Sequence, residues 1–279
     1  MRFLKKFLIL IFVVCIGIVW GIREVGNIKN TKKDTDDSKL ISPPQEFLKF
    51  AVMSDIHLDK ENFIKALRKA KADGMEFVVI TGDLTSLGKK DELISMKAVL
   101  DQETLPYYVI PGNHDLWFSE KVKINFFKEV FGREYQSFKI DEIKFILINN
   151  GSYLGLSGVP GVGDKNQKDW LKEEVKECPQ ITCLVFMHMP LNHPTSLHVM
   201  GEDNESVKTE AKELIKLFTE NKVKETFAGH LHFSSSYELE GLKTTIAGAI
   251  TSDRNVQSPK FLELILRGDE SQKKEIFID

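Results

Sequence analysis

The chain has 279 residues, enough for one large domain or two small ones, and its 42% hydrophobic and 28% charged shares are those of an ordinary globular protein. The net charge is −3, with Lys and Arg spread among acidic residues. No basic stripe stands out, which argues against a nucleic-acid partner. Three cysteines without a CxxC pair are too few for a disulfide framework.

Behind Arg2, Lys5 and Lys6 runs an uninterrupted apolar stretch, residues 7–22. It is longer than a secretory h-region of roughly 7–15 residues and a little short of the roughly 20 of a full span. No A-x-A site follows, so residues 1–25 are expected to form an uncleaved signal anchor, with a cleaved signal peptide as the alternative. The basic flank, against Arg23 and then Glu24 behind the run, puts the N-terminus in the cytoplasm. The remaining chain would then lie outside, held at the cell membrane or secreted after cleavage. Residues 26–46 are polar, mixed in charge and closed by Pro43-Pro44, the composition of a solvated linker.

From residue 47 strand and helix patterns alternate. LKFAVM (48–53) reads as a strand, and residues 61–73 carry Phe63, Ile64, Leu67 and Ala70 at helical spacing. EFVVI (76–80) is a strand, residues 89–101 a helix and PYYVI (106–110) a strand. This β-α-β order argues for a layered α/β fold with parallel strands. YQSFKI and IKFILINN, joined by Asp141-Glu142, read as a hairpin, so the sheet is partly antiparallel. A Gly-rich loop (155–167) leads into a helix over 168–177 with Trp170, Leu171 and Val175 inward. TCLVFM (182–187) is a buried strand, and Cys178 and Cys183 near its start read as small buried hydrophobes. A helix over 206–222 sets Val207, Ala211, Leu214, Ile215 and Phe218 on one face. The short strand ETFAG, a hairpin turning at Glu240-Gly241, and FLELIL (261–266), closing the sheet, complete the pattern.

The strands end in chemistry. Residues i and i+2 of a strand share a side, so Asp55 and His57 after the first strand could converge on one point. Asp83 follows the second strand, Asn113 the third, His188 a further one, and His230 and His232 the next. Open α/β sheets place ligands at that carboxyl edge. A set of carboxylate, amide and imidazole donors without thiolate suits Mn, Fe or Zn. Seven donors exceed what one ion needs. Two ions roughly 3.5–4 Å apart sharing one carboxylate use them all, with Asp83 the natural bridge.

These blocks resemble the calcineurin-like metallophosphoesterases: Asp55-Ile56-His57, Gly82-Asp83-Leu84, Gly112-Asn113-His114-Asp115, His188, and Gly229-His230-Leu231-His232, in that order, across residues 48–266. The resemblance implies a four-layer sandwich of two mixed β-sheets flanked by helices, with 47–279 as the catalytic domain. It implies two divalent metal ions, the first on Asp55, His57 and His232, the second on Asn113, His188 and His230, with Asp83 between them. His114 would stabilise the phosphoryl oxygens or protonate the leaving oxygen, and Asp115 would orient its imidazole. The reaction implied is hydrolysis of a small phosphomonoester or phosphodiester by in-line attack of a hydroxide shared by the ions. Ser86 stands where purple acid phosphatases carry a Tyr, which argues against an iron-tyrosinate centre. His193 and His198 are candidates for the pocket mouth, and Arg254 for binding a phosphate oxygen. A catalytically idle scaffold that binds a partner protein is the alternative, and the oligomeric state stays open.

Overall fold

In the computed structural model the described residues are 47–122, 124–151, 165–268 and 270–278. The expected anchor, the linker and all but the end of the Gly-rich loop lie outside them. Among the described residues no helix is long and apolar enough to cross a membrane.

Among the described residues eleven strands form two sheets. The first has the order β11-β10-β1-β2-β3, from β1 (Leu48–Met53), β2 (Val78–Ile80), β3 (Tyr107–Val109), β10 (Lys260–Arg267) and β11 (Glu270–Phe277). The second runs β4-β5-β6-β7-β9-β8, from β4 (Gln136–Ile140), β5 (Ile143–Leu147), β6 (Thr182–Phe186), β7 (Glu225–Ala228), β8 (Ser235–Leu239) and β9 (Leu242–Ile246). β1, β2 and β3 pair in parallel, as do β5, β6, β7 and β9, while β10, β11, β4 and β8 pair antiparallel.

Alternation along each strand divides the core into layers. Phe50 and Val52 of β1, Phe145 and Leu147 of β5, Phe186 of β6 and Leu264 of β10 fill the space between the sheets. Phe50 stacks on Phe77 at 4.9 Å and meets Phe145 edge-on at 5.3 Å, so aromatic pairs join the sheets. Ala51 and Met53 turn the other way, onto α1 (Lys60–Ala72) and α2 (Lys90–Glu103), through Phe63, Leu67, Leu93 and Met96. Val185 and Met187 turn onto α5 (Lys165–Glu174) and α6 (Glu205–Glu220), through Leu171, Leu214 and Phe218. Strands buried on both faces must be apolar throughout, which is why they read as unbroken hydrophobic runs. The result is the expected four-layer sandwich of two mixed β-sheets flanked by helices.

Three features differ from the sequence reading. Two helices, α3 (Asn113–Val122) and α4 (Phe126–Phe131), follow β3 where none was expected. β10 does not close its sheet, because the polar β11 pairs along its whole length. Cys178 and Cys183 are not separate apolar fillers but a disulfide. The turn after the 3₁₀ helix Val175–Glu177 brings their Cα atoms to 5.3 Å, a separation that a disulfide spans.

Candidate active site

The parallel strands of both sheets end at one rim, and every expected donor sits just beyond a strand end. The loops there are laced together. Ile56 and His57 N–H donate to the Asp83 carbonyl at 2.8 and 3.0 Å, and Gly229 N–H donates to the His188 carbonyl at 2.9 Å. A bridge between Ser54 and Ala249 ties the two sheets at this edge.

The backbone there is strained. Asp55, His57, Asp83, His230 and His232 all have positive φ, between 46° and 69°. Left-handed backbone costs a non-glycine residue about 1–2 kcal/mol and clusters where function requires it. Asp55 and His57 therefore converge through left-handed turns after Met53, not through strand alternation as the sequence suggested. The motif glycines serve close packing. A Cβ on Gly112 would lie 2.1 Å from Asp83 Oδ1, and one on Gly229 would lie 1.7 Å from Ser54 Oγ.

All seven donors meet. His57 Nε2 is 3.1 Å from His232 Nε2 and 3.5 Å from Asp83 Oδ2. His232 Nε2 lies 3.5 Å from Asp55 Oδ1. On the other side of Asp83, His188 Nε2 is 3.4 Å from Asp83 Oδ2, 2.9 Å from Asn113 Oδ1 and 3.2 Å from His230 Nδ1. Asp83 touches both groups through Oδ2, and its Oδ1 accepts from His114 N–H at 2.9 Å.

The cluster fits cations. His188 Nδ1 faces the Thr81 carbonyl at 2.8 Å and must donate there. Its Nε2 is aimed at a carboxylate, an amide oxygen and another imidazole nitrogen, so a proton or a cation has to sit there. Acceptors facing acceptors repel unless a positive charge lies between them. Donors bound at about 2.1 Å to one octahedral ion stand about 3 Å apart, close to the spacing seen here. Asp55 and Asp83 are buried, and among the described residues their ion pairs all go to imidazoles. Buried carboxylates without Lys or Arg call for another counter-charge. Burial opposes protonation of His188, but the Asp83 charge and hydrogen bond, the Asp55 charge and the Thr81 carbonyl together raise it to about 9, so a cation at Nε2 would take the place of a proton. Burial pushes His57 down and His230 well down, which leaves both as neutral nitrogen donors.

Beside the cluster, His114 Nδ1 is held by the Ser86 carbonyl at 2.8 Å. The expected partner, Asp115, does not orient this imidazole. Its buried carboxylate accepts instead from Leu84 N–H, Thr85 N–H, the Thr85 hydroxyl and Gly112 N–H, at 2.8–3.2 Å. It latches the Asp83 loop to the start of α3. Burial and then the Asp83 charge lift its pKa to about 7, while the Gly112 and Thr85 donors pull it down.

A cavity of about 400 Å³ opens over the cluster, lined by Asp83, Asn113, His114, His230 and His232 with Trp117, His198, Leu231 and Arg254. His198 reaches it, stacked on His230 at 4.1 Å. His193 instead packs on Phe233 and Tyr237. Trp117 was missed in the sequence, where its spacing of one helical turn from Asn113 was the available signal. A larger cavity, about 1030 Å³, lies at the opposite end, where β1, β5 and β6 begin. Among the described residues none of the groups of donors that come together lines it, so chemistry rather than size identifies the site.

The sequence model of the family described as Calcineurin-like phosphoesterase matches residues 48–234. The chain is 26% identical over 210 residues to a probable cyclic nucleotide phosphodiesterase of Fibrobacter succinogenes, covering 70% of this chain and 77% of that protein. It is 26% identical to a 3′,5′-cyclic adenosine monophosphate phosphodiesterase of Haemophilus influenzae, covering 70% and 73%. A probable glycerophosphodiester phosphodiesterase of Arcobacter nitrofigilis is also 26% identical, with 64% of each chain covered. Among solved structures, a dimetal phosphatase from Danio rerio superposes with a TM-score of 0.62 at 15% identity, covering 83% of this chain and 96% of that one. A Thermus thermophilus protein superposes at 0.54, covering 82% and 99%. These two likenesses establish the fold.

Proposed function

Because the chain belongs to the calcineurin-like phosphoesterase family, and is thereby a phosphoric-ester hydrolase, we propose that it hydrolyses a small phosphodiester with two divalent ions held at the rim. The observation that carries this reading is the meeting of six donors, three on each side of Asp83 Oδ2. Asp55, His57 and His232 would hold one ion, Asn113, His188 and His230 the other, with Asp83 shared. Such ions acidify water and neutralise phosphoryl oxygens.

The chain's own residues supply the remaining steps. With Nδ1 tied to Ser86, His114 keeps Nε2 for the substrate, where it can steady a phosphoryl oxygen or protonate the departing alcohol. Arg254, at the cavity edge, supplies positive charge for the phosphate. Among the described residues it is the one Lys or Arg lining the cavity, which suits a singly charged diester better than a doubly charged monoester. The names of the three relatives agree with that preference.

The same proposal sets the domain outside the cytoplasm behind a membrane anchor. Residues 7–22 support it, and so does the Cys178–Cys183 disulfide, since disulfides persist in oxidising compartments. The test is turnover by the purified chain with Mn²⁺, on bis-p-nitrophenyl phosphate and p-nitrophenyl phosphate. Faster diester turnover is expected. No turnover of either, with metal bound, would replace this reading by the idle scaffold.

A further inference from the structure

The donor cluster continues outward as a row of rings. His232 lies 4.9 Å from His57, and His57 meets His114 edge-on at 4.6 Å. His114 in turn lies 3.8 Å from the indole of Trp117, tilted by 37°. Trp117 stands one helical turn after Asn113 on α3, so the helix that brings an amide to the donors turns an indole toward the same side.

This tryptophan contributes to none of the three core clusters, whereas Trp170 packs against one of them. It is 42% exposed and lines the cavity over the donors. A large apolar ring kept in water beside a buried polar centre gives the fold little. A group that enters the cavity would cover the rest of that ring. Across the rim His198 lies flat on His230, with its side chain more than half exposed, so a second ring borders the same space. With Arg254 as the one cation of the lining among the described residues, the cavity offers flat rings to the organic part of a substrate rather than charge.

We propose that Trp117 determines specificity: its indole stacks on a planar heteroaromatic group carried by one ester arm, so the site selects nucleoside-type phosphodiesters over aliphatic ones. This deepens the phosphodiesterase reading and rests on it. With the phosphorus at the donor cluster and its leaving oxygen near His114, the next group along the ring row meets Trp117. Stacking of a base on an aromatic side chain changes binding by roughly tenfold or more.

The full chain with Mn²⁺ tests this through the ratio of kcat/KM for the methyl ester of adenosine 5′-monophosphate, whose one planar group is the base, to that for glycerophosphoethanolamine. Trp117→Ala is expected to lower the ratio about tenfold, mainly through KM of the nucleotide ester, and Trp117→Phe to restore most of it. A second readout needs no turnover. Adenosine 5′-monophosphate should quench tryptophan emission saturably in the wild type, glycerol 3-phosphate should not, and Trp117→Phe should abolish the quenching. A ratio unmoved by Trp117→Ala, or equal emission with the two phosphates, would overturn the proposal. A wild type that hydrolyses neither ester refutes the phosphodiesterase reading, and the emission measurement still decides the role of Trp117.

Discussion

Replacing Asp115 by Ala separates two accounts of this residue. Its carboxylate is fully buried and accepts from Leu84 N–H, Thr85 N–H, the Thr85 hydroxyl and Gly112 N–H. Truncation strands all four donors, at about 1–3 kcal/mol each. Removing a carboxylate that burial and Asp83 disfavour returns several kcal/mol. The net loss centres on about 4 kcal/mol, which in a domain of this size lowers Tm by roughly 10 °C. Thermal unfolding of the Asp115→Ala chain measures it, with kcat followed in parallel at a temperature where the variant is folded. Asp115→Asn keeps the volume and one acceptor but turns an amide NH₂ toward backbone donors, so an intermediate loss is expected. An unchanged Tm with kcat collapsed would refute the latch and restore the role first expected, orientation of His114.

Three further outcomes follow from the geometry. His114→Asn should lower kcat by about 10²–10⁴ on diesters with alkyl leaving groups. The loss should be smaller with p-nitrophenolate, which leaves without a proton, and bound metal measured on the same sample should be unchanged. Asn150 accepts from His188 and Met189 N–H at 2.9 and 3.1 Å and donates to the Met189 carbonyl at 2.7 Å, so it sets the backbone of His188. Asn150→Ala should cost about 2–4 kcal/mol in urea unfolding and weaken Mn²⁺ binding measured by calorimetry; wild-type values in both would dismiss that role. Cys178 and Cys183, only 5 positions apart, close a short loop, so Cys178→Ala with Cys183→Ala should cost about 2 kcal/mol. Alkylation and mass analysis of the unfolded wild type should find both thiols blocked until a reductant is added.

The donors were legible in the sequence because their residue types are costly at strand ends unless something uses them. Asp55, His57, Asp83, Asn113, His188, His230 and His232 each follow an apolar run, and the order of these runs fixed the layers. What stayed hidden depends on three-dimensional closure. The partner of Asp115 could be guessed only from its neighbour in the chain, whereas the Thr85 and Gly112 amides reach it through two loops packed together. The cysteines pair because a turn folds back, which their spacing does not signal. β11 has Glu, Ser, Gln and Lys along most of its length and buries Ile276, so no alternation marks it, and pairing with β10 makes it a strand. A polar edge strand of this kind resists further pairing. α3 opens at a Gly-Asn turn and leaves Trp117 and Val122 exposed, so its periodicity is weak.

The claim beneath all of this is that Asp83 stands between two cations. X-ray data collected at the manganese absorption edge, from crystals grown with Mn²⁺, test it most directly. Two anomalous peaks roughly 3.5–4 Å apart, flanking the Asp83 carboxylate, are expected. A rim without any peak, or one peak that Asp83 does not touch, would contradict the account.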